Sequence, residues 1–245
     1  MAQHGKRYND SRGAIDRENL YSPVEAIRLL KGSPEAKFDE TVEVHMNLGL
    51  NVRHADEQLR GTMMLPHGTG REQRVAVFAE GEKAREAEEA GADVVGSADL
   101  AKRIEEGFTD FDVAIATPDQ MGNVGRLGRV LGPRGLMPNP KTGTVTFDVA
   151  KAVTDAKGGK LEYRTDRGAN VHVSIGKKSF EAKSLLENYA TLIEEIVRAK
   201  PASAKGRYIQ QITITTTMGP GVRVDPARVR GILEEFDSRQ EAVPA

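Results

Sequence analysis

The sequence has no cysteine and no tryptophan. Without cysteine there is no disulfide framework, no thiolate zinc site and no cysteine nucleophile, which suits a reducing compartment. Aromatic residues make up 5% of the chain, too few rings for an RRM-like or single-strand platform on which exposed bases stack. Net charge is nearly absent as well. Thirty-five Lys and Arg against 36 Asp and Glu give −1 at pH 7, so the whole chain carries no polyanion-binding signature. No apolar run approaches the ~18–20 residues that a membrane span needs. The first residues, MAQHGKRYNDSRG, lack the apolar core of a secretory signal, and no membrane partner is expected. What is present is globular material: 38% hydrophobic residues and 25 glycines in 245 residues, enough for one or two domains with a real core.

Patterning divides the chain. At 41–50 apolar Val42, Val44, Met46, Leu48 and Leu50 alternate with Thr41, Glu43, His45 and Asn47, the period-2 signature of a half-buried strand. Arg60 to Leu65 follows a turn near Asp56 and reads as its hairpin partner. Ser22-Pro-Val-Glu25 supplies an N-cap hydroxyl, a first-turn proline and a capping-box glutamate, with Gly32 as the stop. Val171, Val173 and Ile175 alternate in the same way, followed by a helix from about Ser179. Its apolar stripe runs Leu185, Leu186, Tyr189, Leu192, Ile193, Ile196, Val197, and Pro201 ends it. Ile212 and Ile214 mark another strand before the turn at Met218-Gly-Pro-Gly221.

Between residues 73 and 147 short apolar runs (74–79, 93–95, 112–116) alternate with helices over 83–90 and 98–106, a βαβαβ rhythm that implies a parallel sheet covered on both faces. The expected architecture is α/β and α+β in two domains. A discontinuous α+β domain spans 1–67 plus 160–228, a Rossmann-like domain over 68–159 is inserted in it, and 229–245 form a flexible tail. Glycine-bearing joints bracket the insert, with Gly68 and Gly70 on entry and Gly158 and Gly159 on exit. Side by side they make a two-strand hinge on which the insert moves.

Candidate chemistry is sparse. The run Gly122-Asn-Val-Gly125-Arg-Leu-Gly128-Arg-Val-Leu-Gly132-Pro-Arg-Gly135 suggests a phosphate cradle, but its spacing refuses one. A dinucleotide site needs G-x-G-x-x-G after the first strand, and that turn reads Ala79-Glu-Gly-Glu82, with carboxylates where a pyrophosphate would sit. A P-loop is excluded by the count to Lys141-Thr142 and by Pro138 and Pro140. Arg126, Arg129, Arg134 and Lys141 lie instead on what reads as a basic, low-relief loop. It suits close approach by a nucleic-acid backbone or a protein, or is simply a solvated loop, and both readings stay open. The five histidines are scattered without ligand spacing, no nucleophile elbow occurs, and Glu82, Glu86, Glu88 and Glu89 read as a solvated helix face. No catalytic residue, cofactor, metal or small-molecule substrate is expected.

Polar strand faces weigh more. Lys37-Phe-Asp-Glu-Thr41, Arg164-Thr-Asp-Arg-Gly168 and Thr213 through Thr217 supply guanidinium groups, hydroxyls and one aromatic. These suit RNA phosphates and 2′-hydroxyls, although β-propensity alone explains any single threonine. Regional charge agrees. Residues 68–159 hold 12 basic and 15 acidic side chains, leaving 23 and 21 outside; removing 225–245 leaves 20 against 16. The basic excess thus sits on the discontinuous domain. A nucleotide-dependent enzyme built on the insert and a protein–protein scaffold are the competing classes. The first lacks a phosphate fingerprint, and the second leaves Thr-Met-Gly unexplained.

Gly128-Arg-Val-Leu-Gly-Pro-Arg-Gly-Leu-Met-Pro-Asn-Pro-Lys-Thr-Gly-Thr-Val145 resembles the signature of the bacterial large-subunit ribosomal protein L-one family. The likeness continues through Lys37-Phe-Asp-Glu-Thr-Val-Glu-Val44, Leu65-Pro-His-Gly-Thr-Gly70, Ala199-Lys-Pro201 with Ala204-Lys-Gly206, and Thr216-Thr-Met-Gly219. It covers about residues 4–228. The resemblance implies a non-catalytic, cytoplasmic ribosomal protein whose discontinuous domain grips folded large-subunit rRNA in the mobile stalk. It implies further partners in exit-site tRNA, whose release it assists, and in its own operon mRNA, which it represses. Carried over residue by residue, the RNA contacts are Lys37, Phe38 and Thr41, with Arg164, Asp166, Gly168 and His172 beside them and Thr217, Met218 and Gly219 at the last strand's end. Arg126, Arg129, Arg134 and Lys141 form a possible second RNA or tRNA contact.

Overall fold

The computed structural model describes residues 5–228 together with Ile232 and Phe236. The chain divides into two compact units, Met1–Gly70 with Tyr163–Ala245, and Arg71–Glu162. Helices α1 (Lys6–Gly13) and α2 (Pro23–Lys31) and strands β1 (Thr41–Leu48) and β2 (Arg60–Met64) come first. The second unit carries β3 (Val75–Phe78), α3 (Glu82–Glu89), β4 (Val94–Gly96), α4 (Ala98–Glu105), β5 (Val113–Ala116), α5 (Met121–Arg126), α6 (Gly128–Leu131) and α7 (Val149–Lys157). After β6 (Lys160–Arg164) the chain forms β7 (Asn170–Lys177), α8 (Ala182–Arg198), β8 (Ile209–Thr216) and β9 (Val222–Val224). The fold is mixed α/β with several sheets.

In the discontinuous unit the strand order is β7-β1-β8-β9, antiparallel throughout. Val42, Val44, Met46 and Leu48 are buried on one face of β1, as their alternation requires. Leu50 lies past the strand. Helices α2 and α8 pack on that face. Helix α2 starts with the capping box: the Glu25 N–H donates to Ser22 Oγ at 3.3 Å and the Ser22 N–H to Glu25 Oε2 at 3.0 Å. The stripe of α8 is buried from Leu185 to Ile196, but Val197, expected in it, is exposed in the helix's last turn.

The expected hairpin between the first two strands does not form. Strand β1 is paired on one edge by β7 and on the other by β8, so no edge is left for β2, which pairs with β6. Helix α1 and strand β9 had no clear sequence signal. Of residues 229–245, expected as a flexible tail, Ile232 and Phe236 are helical and buried; the others lie outside the described residues.

The inserted unit has the parallel order β4-β3-β5. Val75, Val77 and Ile115 pack with Ala87, Val149 and Val153 in one buried cluster. Ala76 and Phe78 pack with Leu100, Ile104, Val124, Leu127 and Leu131 in another. Both faces of the sheet are therefore covered, which is why its strands read as unbroken apolar runs. The glycine run is not the low-relief loop its composition suggested. It folds as α5 and α6, because Val124, Leu127 and Leu131 recur at helical spacing and their burial outweighs the poor helix propensity of glycine.

One buried polar side chain organises the joint that leads out of the first unit's opening segment. Asn188 on α8 is fully buried. Its Oδ1 accepts the His67 N–H at 3.0 Å, and its Nδ2 donates to the Gly68 carbonyl at 3.0 Å and the Ile175 carbonyl at 2.7 Å. All three bonds go to backbone groups, and the one to Ile175 satisfies a carbonyl that burial would otherwise leave unpaired. Gly68 and Gly70 have φ of +62° and +67°, the left-handed region that favours glycine. Gly159 also has positive φ, whereas Gly158 caps α7 with an ordinary φ of −70°.

Candidate nucleic-acid interface

The uncovered face of the antiparallel sheet is polar from edge to edge. Cross-strand register lines up His172, His45, Thr213 and Arg223 in one row, Ser174, Glu43 and Thr215 in the next, and Asn170, Asn47 and Gln211 in a third. The face meets solvent: the side chains of His172 and Glu43 are 53% and 41% exposed. It carries no aromatic residue apart from the imidazoles, so it can offer hydrogen bonds but not base stacking.

At the β1 start of this sheet the chain builds a fixed turn. The Thr41 N–H donates to Thr217 Oγ1 at 3.0 Å, and the Thr217 N–H donates to the Thr41 carbonyl at 3.1 Å. Lys177 Nζ donates to Thr41 Oγ1 at 2.9 Å. The Met218 N–H donates to Glu40 Oε1 at 3.2 Å. Glu40 is buried, and its charge is balanced by Arg7 and Lys178, each 3.8 Å away. A carboxylate in that position fixes the backbone of the turn and leaves the Met218 side chain free, 52% exposed. Gly219 has no room for a side chain, since a Cβ there would lie 2.3 Å from Thr216 Oγ1. Phe38, 53% exposed, and Lys37 precede β1 at the same end.

The structure thus brings Lys37, Phe38, Thr41, Thr217, Met218 and Gly219 together. It does not place Arg164, Asp166 and Gly168 beside them. β7 runs antiparallel to β1, with Thr41 opposite Lys177 and Asn47 opposite Asn170. The 164–168 segment therefore sits at the far end of the sheet, and seven steps of β1 put it roughly 25 Å away. His172 lies between the two groups, on the open face.

Asp166 is engaged in the fold of its own loop. Its Oδ1 accepts the N–H groups of Asn170 at 2.7 Å and Gly168 at 2.8 Å, and its Oδ2 accepts from Asn170 Nδ2 at 3.1 Å. These donors, Asn170 foremost, hold its carboxyl below the usual range. They also support Ala169 at φ +58°, the one positive φ outside glycine among the described residues.

His172 and His45 meet Nδ1 to Nδ1 at 2.9 Å with their rings edge to face, so one ring donates and the other accepts. Burial and then the neighbouring His172 push the His45 pKa down, while Glu43 opposes the shift. Glu43, His45, Asn47 and Ser174 are not among the expected RNA contacts. All four lie on the polar faces of recognised strands, but cross-strand register is needed to join them to His172 and to Thr213.

In the inserted unit Arg126, Arg129, Arg134 and Lys141 are all exposed. Arg126 ends α5, Arg129 sits on α6, Arg134 donates to Thr109 Oγ1, and Lys141 occupies a 3-10 turn whose N–H is held by Asn139 Oδ1. After β3, where a nucleotide phosphate would bind, Glu80 accepts the Ser97 hydroxyl instead. No group of three or more metal-ligating side chains is assembled among the described residues, and no described helix is long and apolar enough to cross a membrane.

A model of the ribosomal protein L1p/L10e family matches residues 29–220. The chain belongs to this family. Among its relatives, the large ribosomal subunit protein uL1 of Rubrobacter xylanophilus is 64% identical over 224 residues, covering 91% of this chain and 97% of the relative. Those of Thermobifida fusca and Mycobacteroides abscessus are 60% and 58% identical, covering 93% and 96% of this chain and 97% and 100% of theirs. The L1p/L10e family consists of structural ribosomal proteins, not enzymes.

Proposed function

We propose that the protein is a constituent of the large ribosomal subunit that binds a folded segment of large-subunit rRNA across the open face of β7-β1-β8-β9. The observation that carries this reading is the Thr217-Met218-Gly219 turn. Its backbone is locked by Glu40 and Thr41, and its methionine is presented to solvent at the same end of the sheet as the exposed Phe38. A rigid turn with a pliable apolar side chain, flanked by hydroxyls and lysines, suits the sugar edge of a folded RNA. The rows of hydroxyls, amides and imidazoles extend the contact along the sheet toward Arg164 and Gly168.

The same reading includes assistance to the release of deacylated tRNA from the exit site and repression of the protein's own operon mRNA through an RNA mimic of the rRNA site. In it the discontinuous unit is the rRNA-binding domain. The inserted unit swings on the joints that carry Gly68, Gly70, Gly158 and Gly159, offering Arg126, Arg129, Arg134 and Lys141 as a second RNA or tRNA contact.

Met218→Asp tests the site by placing an unpaired carboxylate against RNA. The variant is expected to keep its circular dichroism spectrum and melting temperature while binding a stalk-rRNA transcript at least about 2 kcal/mol more weakly, roughly 30-fold. Wild-type affinity in the folded variant would refute the site.

A further inference from the structure

The far end of the antiparallel sheet holds a feature that the Thr-Met-Gly turn does not account for. Three segments converge there. The Leu48 N–H donates to the Ala169 carbonyl at 2.9 Å, and the Gly49 N–H donates to the Tyr208 carbonyl at 2.6 Å. Gly49 approaches the segment before β8 so closely that a Cβ would lie 2.4 Å from the Arg207 carbonyl. The loop after β1 is braced internally: the Asn51 N–H donates to Glu57 Oε2 at 2.6 Å, and Gln58 Nε2 donates to the Val52 carbonyl at 3.1 Å.

Between these braced segments lies an open basin of about 900 Å³ whose lining includes Arg53, Arg167, Lys205 and Arg207. All four are exposed, and none has an ion pair among the described residues. Glu57 is the one carboxylate in the lining, and it already accepts the Asn51 N–H. The neighbouring Lys200, by contrast, lies over the Tyr208 ring at 5.7 Å. The basin therefore gathers four uncommitted cations around one acid in a chain whose total charge is −1.

We infer that this basin is a phosphate-binding extension of the RNA interface, in which Arg53, Arg167, Lys205 and Arg207 hold the sugar-phosphate backbone of the strand that leaves the open sheet face. The inference rests on the rRNA-binding reading above. Continuity supports it, because Asn47 stands on the open face and also lines the basin, where its Nδ2 donates to the carbonyl of Gly168, another lining residue, at 3.3 Å. Shape supports it too. A wide, shallow, polar basin cannot envelop a small ligand, but it can follow a polymer backbone. Such contacts fix the position of the RNA without reading its sequence, and each releases condensed counterions.

The test is a salt series on the full chain with a transcript of the stalk segment of its own large-subunit rRNA, comparing wild type with the triple variant Arg53→Gln, Lys205→Gln, Arg207→Gln. The variant is expected to bind at least tenfold more weakly at low salt. Its slope of log K against log salt should be shallower by about 2 to 3, since each phosphate that is no longer neutralised takes away about 0.7–0.9. The charge-conserving pair Arg53→Lys, Arg207→Lys should retain the wild-type slope.

Phosphate-ethylation interference on the wild-type complex gives a second readout that needs no variant, with a cluster of interfering phosphates separate from those at the Met218 turn expected. An unchanged slope in the triple variant, or interference confined to the Met218 turn, would overturn the inference while leaving the rRNA reading intact. It would turn the basin over to another partner, such as an acidic protein segment. A wild-type protein that failed to bind the transcript would overturn both.

Discussion

The parallel sheet β4-β3-β5 is buried on both faces, whereas the antiparallel sheet β7-β1-β8-β9 is buried on one and open on the other. Charge is also handled differently at two places in the molecule. In the insert, Arg71 is joined to Asp112, Arg74 to Asp110, Lys157 to Asp93 at 3.3 Å and Lys160 to Asp155 at 3.8 Å. In the discontinuous unit, Arg53, Arg167, Lys205 and Arg207 face solvent around one basin. The difference teaches that whole-chain neutrality says little about what a chain binds. Acidic residues neutralise cations beside the insert's sheet, as Glu40 does for Arg7 and Lys178 in the discontinuous unit, while the four cations of the basin stay free beside a face of hydrogen-bonding groups.

Three experiments on stability and binding, and one on pH, would break or sharpen this comparison. The largest effect is expected in the insert's core. Phe78→Ala removes a fully buried ring and should destabilise that unit by about 3–5 kcal/mol, seen as a lower calorimetric transition. Affinity for the stalk transcript should nevertheless stay within about twofold, and a large loss of affinity would move the binding surface into the insert. Next comes Asn188→Ala, which strips three backbone groups of their partner. It should destabilise the sheet unit by about 3 kcal/mol, measured by denaturant unfolding, with the insert's transition unmoved.

Glu40→Ala should act on binding as well as on stability, since it also leaves the nearly buried Lys178 without its carboxylate. With the acceptor of the Met218 N–H gone, the turn loosens, and transcript affinity should drop by about 1.4 kcal/mol, or tenfold. Unchanged affinity would show that the turn holds its shape without the carboxylate.

The smallest effect is a pH dependence. The His45 pKa is lowered in the folded state from its ordinary 6.5. The unfolded chain therefore binds this proton first, and the contribution of His45 to stability is present above pH 6.5 and declines below it. His45→Asn should flatten that part of the stability profile, and an imidazole NMR titration should place His45 below an exposed histidine.

Much of this arrangement is readable from residues alone, for a physical reason. Strand β1 and helix α8 each bury one face, so their sequences alternate at 2 and 3.6 residues, and the insert's strands, buried twice, lose the alternation. The pairing of β2 is not readable in this way, because local pattern gives a strand's faces but not its edges; the partners of β1 lie more than 120 residues downstream. The helices over Met121–Leu131 are hidden by glycines, whose low propensity masks three well-spaced apolar residues in the sequence but does not prevail in the fold. Lys37, Phe38 and Thr217 stand out at polar strand ends, whereas Met218 and Gly219 are contacts by resemblance alone. The burial of Glu40 has no signal in a polar stretch that opens a strand.

The placement of β1 between β7 and β8 also sets an order on the molecule's making. Residues 71–162 are contiguous, so every partner within the insert is available once that segment has been synthesised. Strand β1 emerges earlier yet must wait for residues 170–177 and then 209–216 before either of its edges is satisfied. Long-range pairing of this kind is slow, because loop closure comes before the contacts that reward it. During translation the insert can fold while the sheet is still an unpaired strand. The face proposed to hold RNA is then the last part of the protein to exist.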